Sequence, residues 1–256
     1  MSGRFETSPD PTISEQKPAA HKGPVLLEVK GLKKSFGLKP VLRKIDLTLH
    51  SRERLALLGA NGAGKTTLLR LLACLTQPSS GSIELSGLES RRDAQEMRQL
   101  VGLVAHDPFL YEELTALENL LFFGRLYGIA NTRKRAAELL SRVGLERREQ
   151  ERAGAFSRGM LQRLAWARAL LHSPRLLLLD EPETGLDQEG HALMESLLAE
   201  HISSGGSIIF TTHQLERAIG SSDQLVILHA GRIVMRQETA GTSLEDLRRV
   251  YREVVI

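Results

Sequence analysis

Gly59-Ala60-Asn61-Gly62-Ala63-Gly64-Lys65-Thr66-Thr67 decides how this chain folds. A glycine, four residues, then Gly-Lys-Thr is the spacing of a phosphate-binding loop. Its glycines let backbone N–H groups turn inward around an anion, and the helix that follows presents its positive end. Lys65 can then reach the β- and γ-phosphates, and Thr66 can offer a hydroxyl to Mg²⁺. On one side of the loop, Arg54 to Leu58 reads as a short buried strand. On the other, Thr66 to Leu75 reads as a helix, so the unit is strand, loop, helix.

Working outward, Val101 to Ala105, Leu176 to Leu179 and Ser207 to Thr211 are short apolar runs of the kind buried on both faces of a parallel sheet. Leu27 with Val29, and Ile45, Leu47 and Leu49, alternate with polar residues as half-buried strands do. Asp107 to Leu171 carries helical patterns instead. Thr115 and Glu118 form a capping box for a helix over Ala116 to Tyr127 that Gly128 stops. Further helices are expected at Thr132 to Val143, before Gly144, and at Arg158 to Leu171, before Ser173 and Pro174.

The expected fold is therefore α/β: a P-loop NTPase core with a mostly parallel sheet, an N-terminal antiparallel β part and an inserted helical subdomain at about 107–171. Residues 1–24, with Pro9, Pro11, Pro18 and Pro24 among polar residues, are expected to form a disordered tail. The main domain spans 25–242. At 243–256, Leu244, Leu247, Tyr251 and Val254 share a helical face that should dock on the core.

The composition agrees with a globular chain of 256 residues, 41% hydrophobic and 25% charged. No apolar stretch approaches the roughly 20 residues that cross a bilayer. With 34 Lys and Arg against 31 Asp and Glu, the net charge of +3 gives no electrostatic case for a nucleic-acid partner. The single cysteine, Cys74, sits among leucines as a small core residue, and no secretory leader pattern opens the chain, so a cytoplasmic location is expected.

Leu176-Leu177-Leu178-Leu179-Asp180-Glu181 ends a buried strand in two carboxylates, which a cation or a proton must compensate. Asp180 suits the shell of Mg²⁺, and Glu181 suits a general base acting on water.

Together these segments resemble the nucleotide-binding subunit of ATP-binding cassette (ABC) transporters, over about residues 25 to 240. Phe156-Ser157-Arg158-Gly159-Met160-Leu161-Gln162-Arg163 stands where that family has Leu-Ser-Gly-Gly-Gln; Ser157 and Gly159 match, while Arg158 and Met160 depart. Ser157 can cap the helix starting at Arg158, with Gly159 leaving an amide open at its positive end. The resemblance implies that this end meets the γ-phosphate of an ATP held by the phosphate loop of a second subunit. Thr184-Gly185-Leu186-Asp187 resembles the loop that communicates across that dimer. His213 resembles the histidine that contacts the γ-phosphate, and Phe36 the aromatic that stacks on adenine. After Val101 to Ala105 the family has a Gln at Mg²⁺; this chain has His106, whose imidazole can act as hydrogen-bond donor or acceptor.

The resemblance implies an ATPase using ATP and Mg²⁺, paired with a second copy of itself or a homologous ATP-binding subunit. It would drive separately encoded integral membrane permease subunits from the inner face of the cell membrane. Nucleic acid is not expected, and cargo would touch the permease only. Leu110-Tyr111-Glu112-Glu113-Leu114-Thr115 and Glu118-Asn119-Leu120-Leu121-Phe122-Phe123, with the segment at Phe156, are similar to the ATP-binding subunit of the bacterial haem exporter of cytochrome c maturation; multidrug and polysaccharide-type exporters also resemble it. The alternative is a soluble ABC ATPase acting as a motor or assembly factor.

Overall fold

The computed structural model describes residues 23–184 and 186–255. The expected tail at 1–24 therefore falls almost wholly outside the described residues. Ten strands form one sheet in the order β5-β4-β1-β2-β10-β9-β3-β8-β7-β6. Five of them, β9 (Gln224–His229), β3 (Arg54–Leu58), β8 (Ser207–Thr211), β7 (Leu176–Asp180) and β6 (Val101–Val104), run parallel. The sheet is thus mixed: the antiparallel part, β1 (Val25–Phe36), β2 (Lys39–His50), β4 (Ser80–Leu85) and β5 (Leu88–Glu89), continues it through β10 (Arg232–Glu238).

The period of two in a strand gives each parallel strand two apolar faces. In β7, Leu177 and Leu179 pack against the helical side, whereas Leu176 and Leu178 pack against the side holding α1 (Lys65–Leu72), β1 and β2. Burial on both faces is why no alternation marks this run in the sequence. β9 is built alike, with Leu225, Val226, Ile227 and Leu228 fully buried, and it completes the parallel set. By contrast β4, Ser80-Gly81-Ser82-Ile83-Glu84-Leu85, has too few apolar residues to announce itself. It forms because Val29 and Leu27 of β1 supply partners for Ile83 and Leu85.

The helical insertion follows its expected capping. Thr115 and Glu118 close the capping box of α3 (Ala116–Leu126), and Gly128 and Gly144 adopt positive φ after α3 and after α4 (Thr132–Arg142). One boundary is corrected: α1 ends at Leu72 rather than Leu75, because Cys74 turns to φ +52. Cys74 itself is buried against Met97 of α2 (Ala94–Leu100). The final helix, α8 (Leu244–Val255), has Leu247 fully buried and Val250, Tyr251 and Val254 against the core.

The edge strand β6 is secured by α5 (Arg158–Leu170). Its Leu103 carbonyl accepts from Arg168 Nη2 at 2.6 Å, and its Val101 carbonyl from His172 Nε2 at 3.0 Å. Tyr127 stacks on His172 with ring centroids 3.9 Å apart. Burial pushes the His172 pKa down to about 4, outweighing the Val101 bond, so the ring is neutral in the fold. Unfolded histidine titrates near 6.5, so between these values the unfolded chain binds the proton first. Stability should therefore be full above about pH 6.5 and fall on acidification to about pH 4, by at most about 3 kcal/mol. Thermal melts of the parent and His172→Phe across that interval check this: the parent should lose Tm more steeply, and parallel profiles would refute it.

Candidate functional site

A cleft of about 550 Å³ opens at the carboxyl ends of the parallel strands, lined by the Gly59–Thr67 loop, His106, Asp180, Glu181 and one wall of α5. That end of an open α/β sheet is where ligands bind. The loop is shaped by its glycines at two points in particular. Gly59 has φ +150, and a Cβ there would lie 2.2 Å from the Leu228 carbonyl; Gly64 has φ +111, and its Cβ would meet Leu42 at 2.7 Å. No side chain caps α1, so its first N–H groups face the cradle.

Lys65 is only 7% exposed, and its ammonium donates to the Gly59 and Ala60 carbonyls at 2.7 and 3.2 Å. Burial lowers its pKa from the usual lysine value, opposed by the carboxylates of Glu181 and Asp180. The Thr66 hydroxyl donates to Asp180 Oδ2 at 2.7 Å. Asp180 Oδ1 accepts from the Thr211 hydroxyl at 2.7 Å, while the Thr211 oxygen accepts from the Glu181 N–H at 2.9 Å. One threonine therefore holds both acidic positions.

Glu181 takes φ +49, a left-handed conformation costly for a side chain of this kind. Its Oε1 lies 3.8 Å from His213 Nδ1. Lys65, Thr66, Asp180, Glu181 and His106 thus converge on one cleft, with His213 beside Glu181.

Two groups of predicted residues stand elsewhere. Phe36 is 55% exposed, with the Lys34 ammonium 4.8 Å from its ring centroid, and is not part of the cleft lining. Its exposure excludes a core role. Ser157 and Gly159 line a separate cavity of about 320 Å³ with Leu186 and Asp187. Ser157 Oγ accepts from the Met160 N–H at 3.3 Å as the cap of α5, and a Cβ at Gly159 would meet nothing within 4 Å. Asp187 caps α6 (Gln188–Ser203) by accepting from Gly190 N–H at 2.7 Å. Gly185, between them in sequence, lies outside the described residues.

The sequence reading missed Thr211 and Gln162. Thr211 closes its strand directly opposite Asp180, so strand register could have found it. Gln162 donates to the Pro182 carbonyl at 2.6 Å and ties α5 to the loop after Glu181.

The donor set fits its proposed ligands. The cradle admits phosphate oxygens where side chains are excluded, and a hydroxyl beside a carboxylate oxygen is a hard pair suited to Mg²⁺. No cluster of three or more His, Cys, Asp or Glu that could hold a metal occurs among the described residues. Mg²⁺ would accordingly draw its remaining ligands from phosphate and water.

A strand-loop-helix phosphate cradle facing an Asp-Glu strand end defines a P-loop ATPase. The chain belongs to the ABC transporter family, whose profile matches residues 42–184, more than half its length, and it is an ABC ATPase. It is 37% identical over 198 residues to the ABC transporter ATP-binding protein NatA of Bacillus subtilis (strain 168), covering 76% of this chain and 80% of that one. It is 39% identical over 210 residues to the Nod factor export ATP-binding protein I of Rhizobium sp. (strain N33), covering 81% and 69%. Among solved structures it is similar to an ATP-binding subunit of an ABC transporter, with TM-score 0.81 and 32% identity, covering 88% and 98%. It is also similar to a dimeric ATP-binding cassette in a post-hydrolysis state bound to ADP and Pi, with TM-score 0.76 and 27% identity, covering 85% and 100%.

Proposed function

We propose that this chain is the ATP-hydrolysing subunit of an export-type transporter, acting as a dimer on separately encoded permease subunits at the cytoplasmic face of the membrane. The observation that carries the hydrolytic reading is the pair Asp180 and Glu181, held on opposite sides of the Thr211 hydroxyl and facing the Lys65 loop. The backbone of Gly59–Thr67 holds the phosphates, and Lys65 exchanges its loop carbonyls for β- and γ-phosphate oxygens. Thr66 and Asp180 hold Mg²⁺, with His106 near it; bound there, the ion neutralises phosphate charge. Glu181 takes a proton from the water whose oxygen bonds to the γ-phosphorus as the bond to the β,γ-bridging oxygen breaks and ADP leaves, and His213 keeps that water and Glu181 in line. Phe36 stacks on the adenine. Ser157 and Gly159 serve the ATP of the other subunit, which accounts for their separation from this chain's own cleft.

The relatives' names favour export: Nod factor export, linearmycin resistance in Bacillus subtilis (strain 168) and daunorubicin resistance in Streptomyces coeruleorubidus. Those names give no support to haem export for cytochrome c maturation, which rests on the three sequence stretches alone. No helix among the described residues is long and apolar enough to cross a membrane.

Gly159→Asp tests the shared site. A Cβ added at Gly159 meets nothing within 4 Å, so folding and monomer ATP binding should persist. A carboxylate against a γ-phosphate should block closure and lower ATPase activity at least about 10-fold. Rates measured across protein concentrations decide: a parental rate at every concentration removes the signature helix from the site.

A further inference from the structure

Glu183 is an acid where burial disfavours one. It follows Pro182 in the loop after β7 and is only 5% exposed. Its Oε1 accepts from the Thr212 hydroxyl at 2.7 Å, and Thr212, fully buried, is the residue before His213. The Thr212 oxygen also accepts from the Gln214 N–H at 3.1 Å, the residue after His213. The backbone on both sides of His213 is therefore held by one hydroxyl, and that hydroxyl is held by Glu183.

The other carboxylate oxygen, Oε2, lies 3.6 Å from Arg217 Nε on α7 (Leu215–Ser221). Arg217 is itself anchored to α6 by Glu195, at 2.9 Å. Both Oε2 and Nε are buried and lack a hydrogen-bond partner, so each depends on the other for compensation. Glu183 thus joins three elements: the loop that carries Glu181, the loop that carries His213, and the helix that follows it. Oligomeric or cargo contacts do not explain a buried carboxylate here, whereas the placing of two neighbouring loops does.

We infer that Glu183, through Thr212 and Arg217, is a positioning residue that sets His213 against Glu181. The inference rests on the reading of those two residues as the hydrolytic pair. Their separation of 3.8 Å is set by two loops with no backbone hydrogen bond between Glu181 and His213 themselves. Rotating either loop by a fraction of an ångström would change which atom His213 presents to Glu181 and to water. The phosphate loop is not part of this linkage, so nucleotide affinity should be spared.

Steady-state ATPase kinetics of the full chain test this. Glu183→Ala should lower kcat about 10-fold or more while leaving KM for ATP within about twofold, the signature of a lost transition-state interaction. Glu183→Gln, which keeps an acceptor for Thr212 but turns an amide NH₂ toward Arg217, should recover only part of the rate, and Thr212→Val should match Glu183→Ala. The double variant Glu183→Ala with Thr212→Val should be no slower than either single one. Glu183→Ala introduced into His213→Ala should leave that variant's residual rate unchanged. A folded Glu183→Ala protein with parental kcat, a loss confined to KM, or losses that multiply with His213→Ala would each overturn the inference. If His213→Ala alone kept the parental kcat, the assignment of His213 would fail instead, which separates the two failures.

Discussion

Glu181→Gln should abolish turnover while keeping ATP bound. The substitution preserves size and the backbone N–H bond to Thr211, so the strand end and Asp180 stay in place. In the proposed mechanism it removes only the group that accepts the proton of the attacking water. General-base catalysis contributes on the order of 10²- to 10⁴-fold, and a loss of at least about 100-fold in kcat is expected, without a rise in KM. With ATP retained and uncleaved, the variant should accumulate as a nucleotide-dependent dimer, visible as earlier elution in gel filtration with Mg·ATP. Turnover within a few-fold of the parent would take Glu181 out of the role of base.

How much of this site could be read beforehand depended on whether each residue belongs to a local pattern. The Gly59–Thr67 loop and Leu176–Glu181 were legible because the chemistry sits in consecutive residues next to a strand or helix. Thr211 and Glu183 were not. Thr211 acts through its register with Asp180, and that pairing joins strands 31 residues apart in the chain. Glu183 looks like a solvated turn residue until tertiary packing closes Thr212 and Arg217 over it. Long-range partners of this kind leave no periodic trace, since neither residue's neighbours in sequence are its neighbours in space.

The same distinction runs through the fold. The strands β3, β6, β7 and β8 and the helices with a cap and a stop in the insertion were visible, because burial and capping act over a few residues; β9, equally buried, was not read. The ribbon of β4 and β5, and the antiparallel return of β10 onto β9, depend on partners supplied from elsewhere. So does the continuity of the sheet: β10 pairs with β2 at a single ladder position, Arg232 with Lys44, which makes one ten-stranded sheet of two parts. The Gly231 N–H reinforces this junction by donating to the Ala63 carbonyl, placing the β9–β10 turn against the phosphate loop.

That junction sets the second large effect. Gly59→Ala adds one methyl group at the point where the loop leaves β3, 2.2 Å from the Leu228 carbonyl of the adjacent strand β9. Real Cβ atoms do not approach a carbonyl oxygen so closely, and the oxygen is backbone within a parallel pair, so it cannot swing away as a side chain would. Relief requires β9 or the loop to move. The φ of +150 compounds the strain, because L side chains rarely adopt it. Overpacking costs about 1–3 kcal/mol and an unfavourable φ about 1–3 kcal/mol more, so a loss near 3 kcal/mol is expected. For a chain of this size that corresponds to a fall of roughly 6–12 °C in Tm. ATP affinity should drop with it, since any shift of the loop displaces the N–H groups proposed to bind the phosphates and the Gly59 carbonyl that holds Lys65. Melting curves and nucleotide titrations of Gly59→Ala beside Gly62→Ala separate steric clash from conformation: Gly62 has φ +80 but open space around a Cβ, so it should show the smaller loss. Equal losses at the two positions would mean that backbone conformation alone, and not the approach of β9, shapes the cradle.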